Sequence, residues 1–394
     1  HALDVVQQSG TGELSAEALK KQLFSLGTSV DIGCGAHETT ITIEGVDANM
    51  ERSVALVERW LRDPKIDPAT LRGIVDNVLS ERRDAMEDPD TLAAALSEFA
   101  LYGQDSEFLQ APSNAQLLAA KPEALARLSR ELVDHEHKTL YFGPRPAAEA
   151  AKAIALGKKH KKVAPRPPIV YRKVSRPTLF FTHRDVAKST VAVALPTRAL
   201  AREQRPAARL LSEYLGSSGM NSLLFQEMRE SRSLVYYAWG VLWTGARPTD
   251  AWALRGGLGT QSDKTAEAVA VFLELLGRPI DGVRLGSTRA SLDQEFRGSR
   301  VDPRHSAWLV HAWDELGEKA DPRPWLWETI LKLGPEQLQG LQSSFAASPP
   351  IVGLVGNRGR LDLEALKKIA DVVEVAPATL FSYGDFPRGQ VAAR

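Results

Sequence analysis

A single cysteine, Cys34, in 394 residues excludes an internal disulfide framework and a cysteine-rich zinc module. It leaves the compartment open, since exported chains also do without disulfides; a periplasmic or otherwise exported location is as compatible with it as the cytoplasm. Net charge is missing as well. Lys plus Arg and Asp plus Glu number 49 each, so no global field recruits nucleic acid or an anionic membrane. No run approaches the roughly 18 apolar residues of a membrane span. The start, "HALDVVQQSG", has neither an initiator Met nor a signal-peptide profile, as expected of a mature or partial piece. What remains is a composition of 43% hydrophobic and 25% charged residues, ordinary for a folded chain long enough for two domains.

The chain repeats itself. Near the end of each half a short β-rich run stops at glycine and leads through an arginine into an amphipathic helix: "KTLYFGPRPAAEAAKAIAL" from Lys138 and "PIVGLVGNRGRLDLEALKKIA" from Pro350, with Gly143 and Gly356 213 residues apart. Earlier in each half, "TTITIEGVDANMERSVALVERWL" from Thr39 and "ALRGGLGTQSDKTAEAVAVFLELL" from Ala253 both read as strand, glycine, polar cap and long helix. The starts correspond too, each an apolar-periodic helix, a glycine-containing loop and a second helix around Gly10 and Gly216. In the second copy a strand with clean alternation precedes them: "STVAVALP", with Val191, Val193 and Leu195 on one face. The first copy has no counterpart to this lead-in, so repeat logic places roughly 35 residues of the first domain outside this sequence.

The expected fold class is therefore α+β, with two repeated domains, each a mostly antiparallel sheet with helices packed on one face. The first domain is read at 1–155 and the second at 178–394. Between them, "LGKKHKKVAPRPPIVYRKVSRP" (156–177) reads as an extended linker, because proline fixes φ and like charges stretch the chain.

The chemistry-bearing residues are sparse. Of eight histidines, the closest pair lies in "DHEH", Asp134 to His137, and reads as a polar strand entrance without a third metal ligand at clear spacing. His305 and His311 fall on different faces of a helix, beside Trp308 and Trp313. Cys34 and His37 point to opposite faces of a strand, which argues against a nucleophilic pair. "YLGSSGMNS" lacks both the register of a serine elbow and the ending of a phosphate loop. It reads as a flexible or substrate-contacting loop.

In order and content, both copies resemble the pitrilysin/insulinase metallopeptidases, the inverzincins, over nearly the whole chain. The resemblance implies a half-clamshell of two related domains that encloses a chamber together with a partner half. The family's zinc signature, His-x-x-Glu-His on a helix followed by Gly-Thr, corresponds here to "HALDVVQQSGT". Gly10 and Thr11 are in register and His1 keeps the first ligand position. Asp4 stands at the general base and Val5 at the second imidazole; Glu81 falls at the later-helix glutamate. Valine has no lone pair to donate, and two remaining ligands fall short of three, so no functional zinc is expected in this chain.

In the second copy, "GSSGMNSLLFQEMRESRSLVYYAWG" matches the loop, helix and strand of the family's zinc-less half, whose Arg and Tyr reach the substrate at the partner's zinc. Arg229 and Tyr236 fall at these positions with the family's seven-residue spacing, and Gly216, Ser217, Ser218 and Gly219 at its substrate-binding loop. Leu223 replaces the usual Arg, and Ser233 replaces a Gly. The resemblance thus implies a zinc-less half of a metalloendopeptidase, inactive alone. Zn2+ is expected in the partner half or subunit, with unfolded peptide as substrate and neither nucleic acid nor a membrane span involved. The alternative is a noncatalytic scaffold subunit of the same fold.

Overall fold

The computed structural model describes residues 2–35, 38–154, 161–216 and 220–386. The chain divides into two compact units: His1–Arg83 with Pro112–Pro167 and Tyr383–Arg394, and Asp84–Ala111 with Pro168–Ser382. Helices and a mostly antiparallel set of strand pairs make it an α+β protein.

The first unit is mainly helical. Residues 68–83 of the 68–87 helix belong to it and bury Leu71, Ile74, Val75, Val78, Leu79 and Arg82, the 3- and 4-residue spacing that gathers one face of an α-helix. The 50–62 helix does the same with Val54, Val57, Trp60 and Leu61, and the Trp60 indole Nε1 donates to Ser9 Oγ at 3.1 Å. Two small antiparallel ladders complete the unit: β1 (Gly10–Thr11) on β4 (Pro64–Lys65), and β2 (Ser29–Cys34) on β3 (Thr39–Glu44). The run at 138–142, expected to be a strand, has no ladder partner among the described residues. The nearest pairing is an isolated bridge between His135 and Lys161. A β-prone segment without a neighbouring strand has nowhere to place its backbone hydrogen bonds as a sheet.

The second unit is built on a six-stranded sheet of β5 (Thr178–His183), β6 (Lys188–Pro196), β7 (Val235–Trp243), β8 (Ala253–Gln261), β9 (Ile351–Gly356) and β10 (Asp371–Glu374). Their spatial order is β10-β5-β9-β6-β8-β7, the first three running parallel and the rest antiparallel to their neighbours. Val191, Val193 and Leu195 share one face, as their alternation implies, and pack with Leu210, Leu211, Phe272, Leu275 and Phe345 from helices laid on that side. The opposite face is covered over β5 and β9 by the 89–102 helix. There Phe99 meets Phe180 edge-on with centroids 6.0 Å apart, and Leu96 lies 3.7 Å from where a Gly353 Cβ would stand. Burial on both faces explains why β9, "IVGLVG", is apolar or glycine throughout. No helix among the described residues is long and apolar enough to cross a membrane.

Candidate substrate-binding and catalytic site

Leu223, Leu224 and Met228 are buried and anchor the segment before Arg229 in the core of the second unit. Residues 225–230 form a π-helical turn, in which the Ser231 amide donates five residues back, to Gln226 O, at 2.9 Å. Such turns widen a helix locally and shift the direction of the side chains on it. Arg229 projects from this turn with its side chain half exposed. Among the described residues its partners are the adjacent Glu230 carboxylate, 3.9 Å away, and the face of Phe225, 4.9 Å from the guanidinium carbon. Glu227, a counter-ion within reach by sequence, is taken elsewhere: Arg278 Nη1 donates to it at 2.8 Å, and Arg232 and Arg284 lie at 3.8 and 3.9 Å.

Two hydrogen bonds close the turn: Ser233 N–H to Arg229 O at 3.1 Å, and Leu234 N–H to Met228 O at 2.9 Å. This pairing ends a helix with a left-handed residue, and Ser233 has φ of 51°. The chain then enters β7, where the ladder to β8 pairs Val235 with Thr260 and Tyr237 with Gly259. Tyr236 is the extra residue of a β-bulge. A bulge frees one side chain from the ladder's alternation and redirects it; the Tyr236 ring is 53% exposed, and its hydroxyl has no hydrogen-bond partner among the described residues. The sequence motif gave Tyr236 its place on a strand. The bulge comes from a count mismatch between two paired strands, which a single strand cannot reveal.

Gly216 ends the 205–215 helix and packs closely against β7: a Cβ there would stand 3.2 Å from Gly240 N and 3.4 Å from Trp239 Cα. Beyond it, Ser217, Ser218 and Gly219 lie outside the described residues. The far side of the loop is held by Arg284 Nη1, which donates to Asn221 O at 2.8 Å.

The degenerate metal positions lie in the first unit, and His1 is outside the described residues. Val5 is 2% exposed and packs in the core with Leu19, Val57 and Leu61, whereas Asp4 and Glu81 are exposed. A buried isopropyl group at the second ligand position does not fit a zinc centre. Among the described residues no three His, Cys, Asp or Glu side chains are grouped to hold a metal ion.

Residues 141–283 match the model described as the peptidase M16 inactive domain. That segment, well under half of the chain, is similar to this domain. The match encloses Gly216, Arg229 and Tyr236. In fold, the chain is similar to an M16 inactive domain from Pseudomonas fluorescens (TM-score 0.65, 13% identity, covering 90% of this chain and 87% of that one). A protease from Helicobacter pylori gives a TM-score of 0.67 at 16% identity, covering 90% and 88%. The periplasmic protease PqqL from Escherichia coli gives 0.67 at 14% identity, covering 91% of this chain but 40% of that longer one. At these identities the likeness is one of fold. No curated protein sequence matches the chain. The match of the M16 segment to an inactive domain supports a chain without zinc of its own.

Proposed function

We propose that this chain is the zinc-less half of a two-part metalloendopeptidase, closing a chamber around unfolded peptide and supplying Arg229 and Tyr236 to the reaction. One observation carries the reading. Within the M16 match, a helix turn and a strand bulge present a guanidinium and a phenol seven residues apart, both half exposed and neither taken up by a buried partner. Zinc in the partner half, when bound, would supply the activated water. On this chain, the Tyr236 hydroxyl and the Arg229 guanidinium would donate to the oxygen on which negative charge develops as the peptide carbonyl is attacked. The loop at Gly216, Ser217, Ser218 and Gly219 would hold the substrate backbone. The partner is a separate subunit or another part of a longer chain; fold neighbours of about this length and one much longer protease accord with either arrangement.

The test is turnover of a quenched peptide by this chain together with its zinc-bearing half. Arg229→Ala and Tyr236→Phe are each expected to lower kcat by about 100-fold, the loss typical of one oxyanion donor. Unchanged kcat/KM in both variants, or full activity and stoichiometric zinc in the isolated chain, would overturn the proposal. Wild-type assembly without turnover would favour the noncatalytic scaffold instead.

A further inference from the structure

The face of β7 turned away from the helices of the core is paved with rings. Tyr237, Trp239 and Trp243 alternate with the buried Ala238 and Leu242, and are 37%, 40% and 49% exposed. Opposite them on β8 stand glycines: Gly259 pairs with Tyr237, and Gly257 with Trp239. A Cβ on Gly259 would fall 2.4 Å from Tyr237 Cε1, and one on Gly257 2.8 Å from Trp239 Nε1. The two rings therefore lie across β8 over a floor without side chains, an arrangement known to stabilise strand glycines.

At one end of this strip, on β8 beside Trp243, sits Arg255. Its guanidinium carbon is 5.1 Å from the Trp243 ring centre, and Nη2 donates to Tyr102 Oη at 2.5 Å and Tyr171 Oη at 3.4 Å. The Nε is buried without an acceptor. No carboxylate among the described residues forms an ion pair with it. Glu98, one turn before Tyr102 on the 89–102 helix, is the acidic group that feels its charge, and burial raises the Glu98 carboxyl above the usual range. A partly buried cation held by two neutral phenols retains most of its demand for an anion. Lys188, its Nζ 5.8 Å from the Tyr237 ring centre, places a second positive charge at the other end.

We propose that the Tyr237, Trp239 and Trp243 face is a binding strip for an extended peptide, on which Arg255 selects a carboxylate. The rings take apolar side chains of the peptide, and the guanidinium takes an acidic side chain or the terminal carboxylate. Charge complementarity, together with three half-exposed rings in a row, favours this occupant over a purely apolar surface. The inference rests on the peptidase reading for its substrate class, but peptide binding is measurable on the isolated chain without turnover. Its failure would leave the roles of Arg229 and Tyr236 standing.

The test uses titration calorimetry of the isolated chain with three ten-residue peptides of Val, Phe and Ser. One carries a central Glu and an amidated end, one a central Gln and an amidated end, and one a central Gln and a free terminal carboxylate. At least one acidic peptide is expected to bind about tenfold more tightly than the neutral one, and which of the two does so identifies the source of the carboxylate. Arg255→Gln should abolish the preference, and Trp239→Ala should weaken all three peptides together. Equal affinity of the three peptides for the wild type overturns the proposal, as does an acidic preference that survives Arg255→Gln. If Arg255→Gln does not fold, unaltered binding to Trp239→Ala is equally decisive against it. Concentration-dependent self-association that Trp239→Ala removes would assign the strip to a second copy of the chain and also overturn it.

Discussion

The Ser233 amide donates to the Arg229 carbonyl at 3.1 Å from a backbone with φ of 51°, so the residue that closes the turn after Arg229 is held in the left-handed region. A side chain there clashes with its own carbonyl, at roughly 1 kcal/mol for a small polar residue. Ser233→Gly is expected to stabilise the chain by about 1 kcal/mol, and Ser233→Val to destabilise it by more. Urea denaturation of the three proteins checks both signs.

Arg229 and Tyr236 are half exposed and make no buried hydrogen bond among the described residues. Arg229→Ala and Tyr236→Phe should therefore move stability by no more than about 0.5 kcal/mol. A thermal shift in both that matched a core substitution would assign them to packing.

Asn114 is fully buried and accepts from Arg82 Nη1 at 2.8 Å; Arg82 is itself 4% exposed and lies 4.3 Å from the centre of the Tyr383 ring. Removing the acceptor strands a buried cation. Asn114→Ala is expected to cost about 3 kcal/mol, read as a lowered denaturation midpoint. Arg82→Met, which removes the charge as well, should cost less.

Two glycines should answer alanine with opposite signs. A Cβ on Gly256 would meet Phe272 Cζ at 2.5 Å and the Trp239 carbonyl oxygen at 2.6 Å, so Gly256→Ala should cost about 2 kcal/mol through displaced backbone. Gly286, within the 282–298 helix, has nothing within 4 Å of that position, and Gly286→Ala should gain about 1 kcal/mol in helix propensity. Both follow from denaturation midpoints.

Burial raises the Glu98 carboxyl, against the attraction of Arg255. The folded state then binds more protons than the unfolded one between the two pKa values, so this group's contribution is fully present below the unfolded pKa. It is lost as pH rises through the folded one. Glu98→Gln should remove that loss: the stability of the variant relative to wild type rises between acid and neutral pH. A difference independent of pH would show that burial does not perturb this carboxyl.

Much of this was legible in the order of residues. Periodicity located the helix that buries Val57 and the alternation of Val191, Val193 and Leu195, because spacing along one element reports which face it buries, whereas the resemblance to a known family placed Arg229 and Tyr236 on a helix and the strand after it. The valine at position 5 was legible as the loss of a metal ligand, and the fold adds that it lies in the core. The strip of Tyr237, Trp239 and Trp243 was not read from the sequence, because the glycines beneath it lie on another strand. Other features arose between distant segments. The 89–102 helix covers the second face of a sheet whose strands begin some 75 residues later. Glu227 pairs with Arg278 in place of Arg229, and Tyr236 is bulged because β8 offers one residue too few. Each depends on long-range register and on competition for a partner, which local pattern does not encode. Packing of the whole chain set them, and with them the direction in which the two candidate catalytic side chains are free to reach.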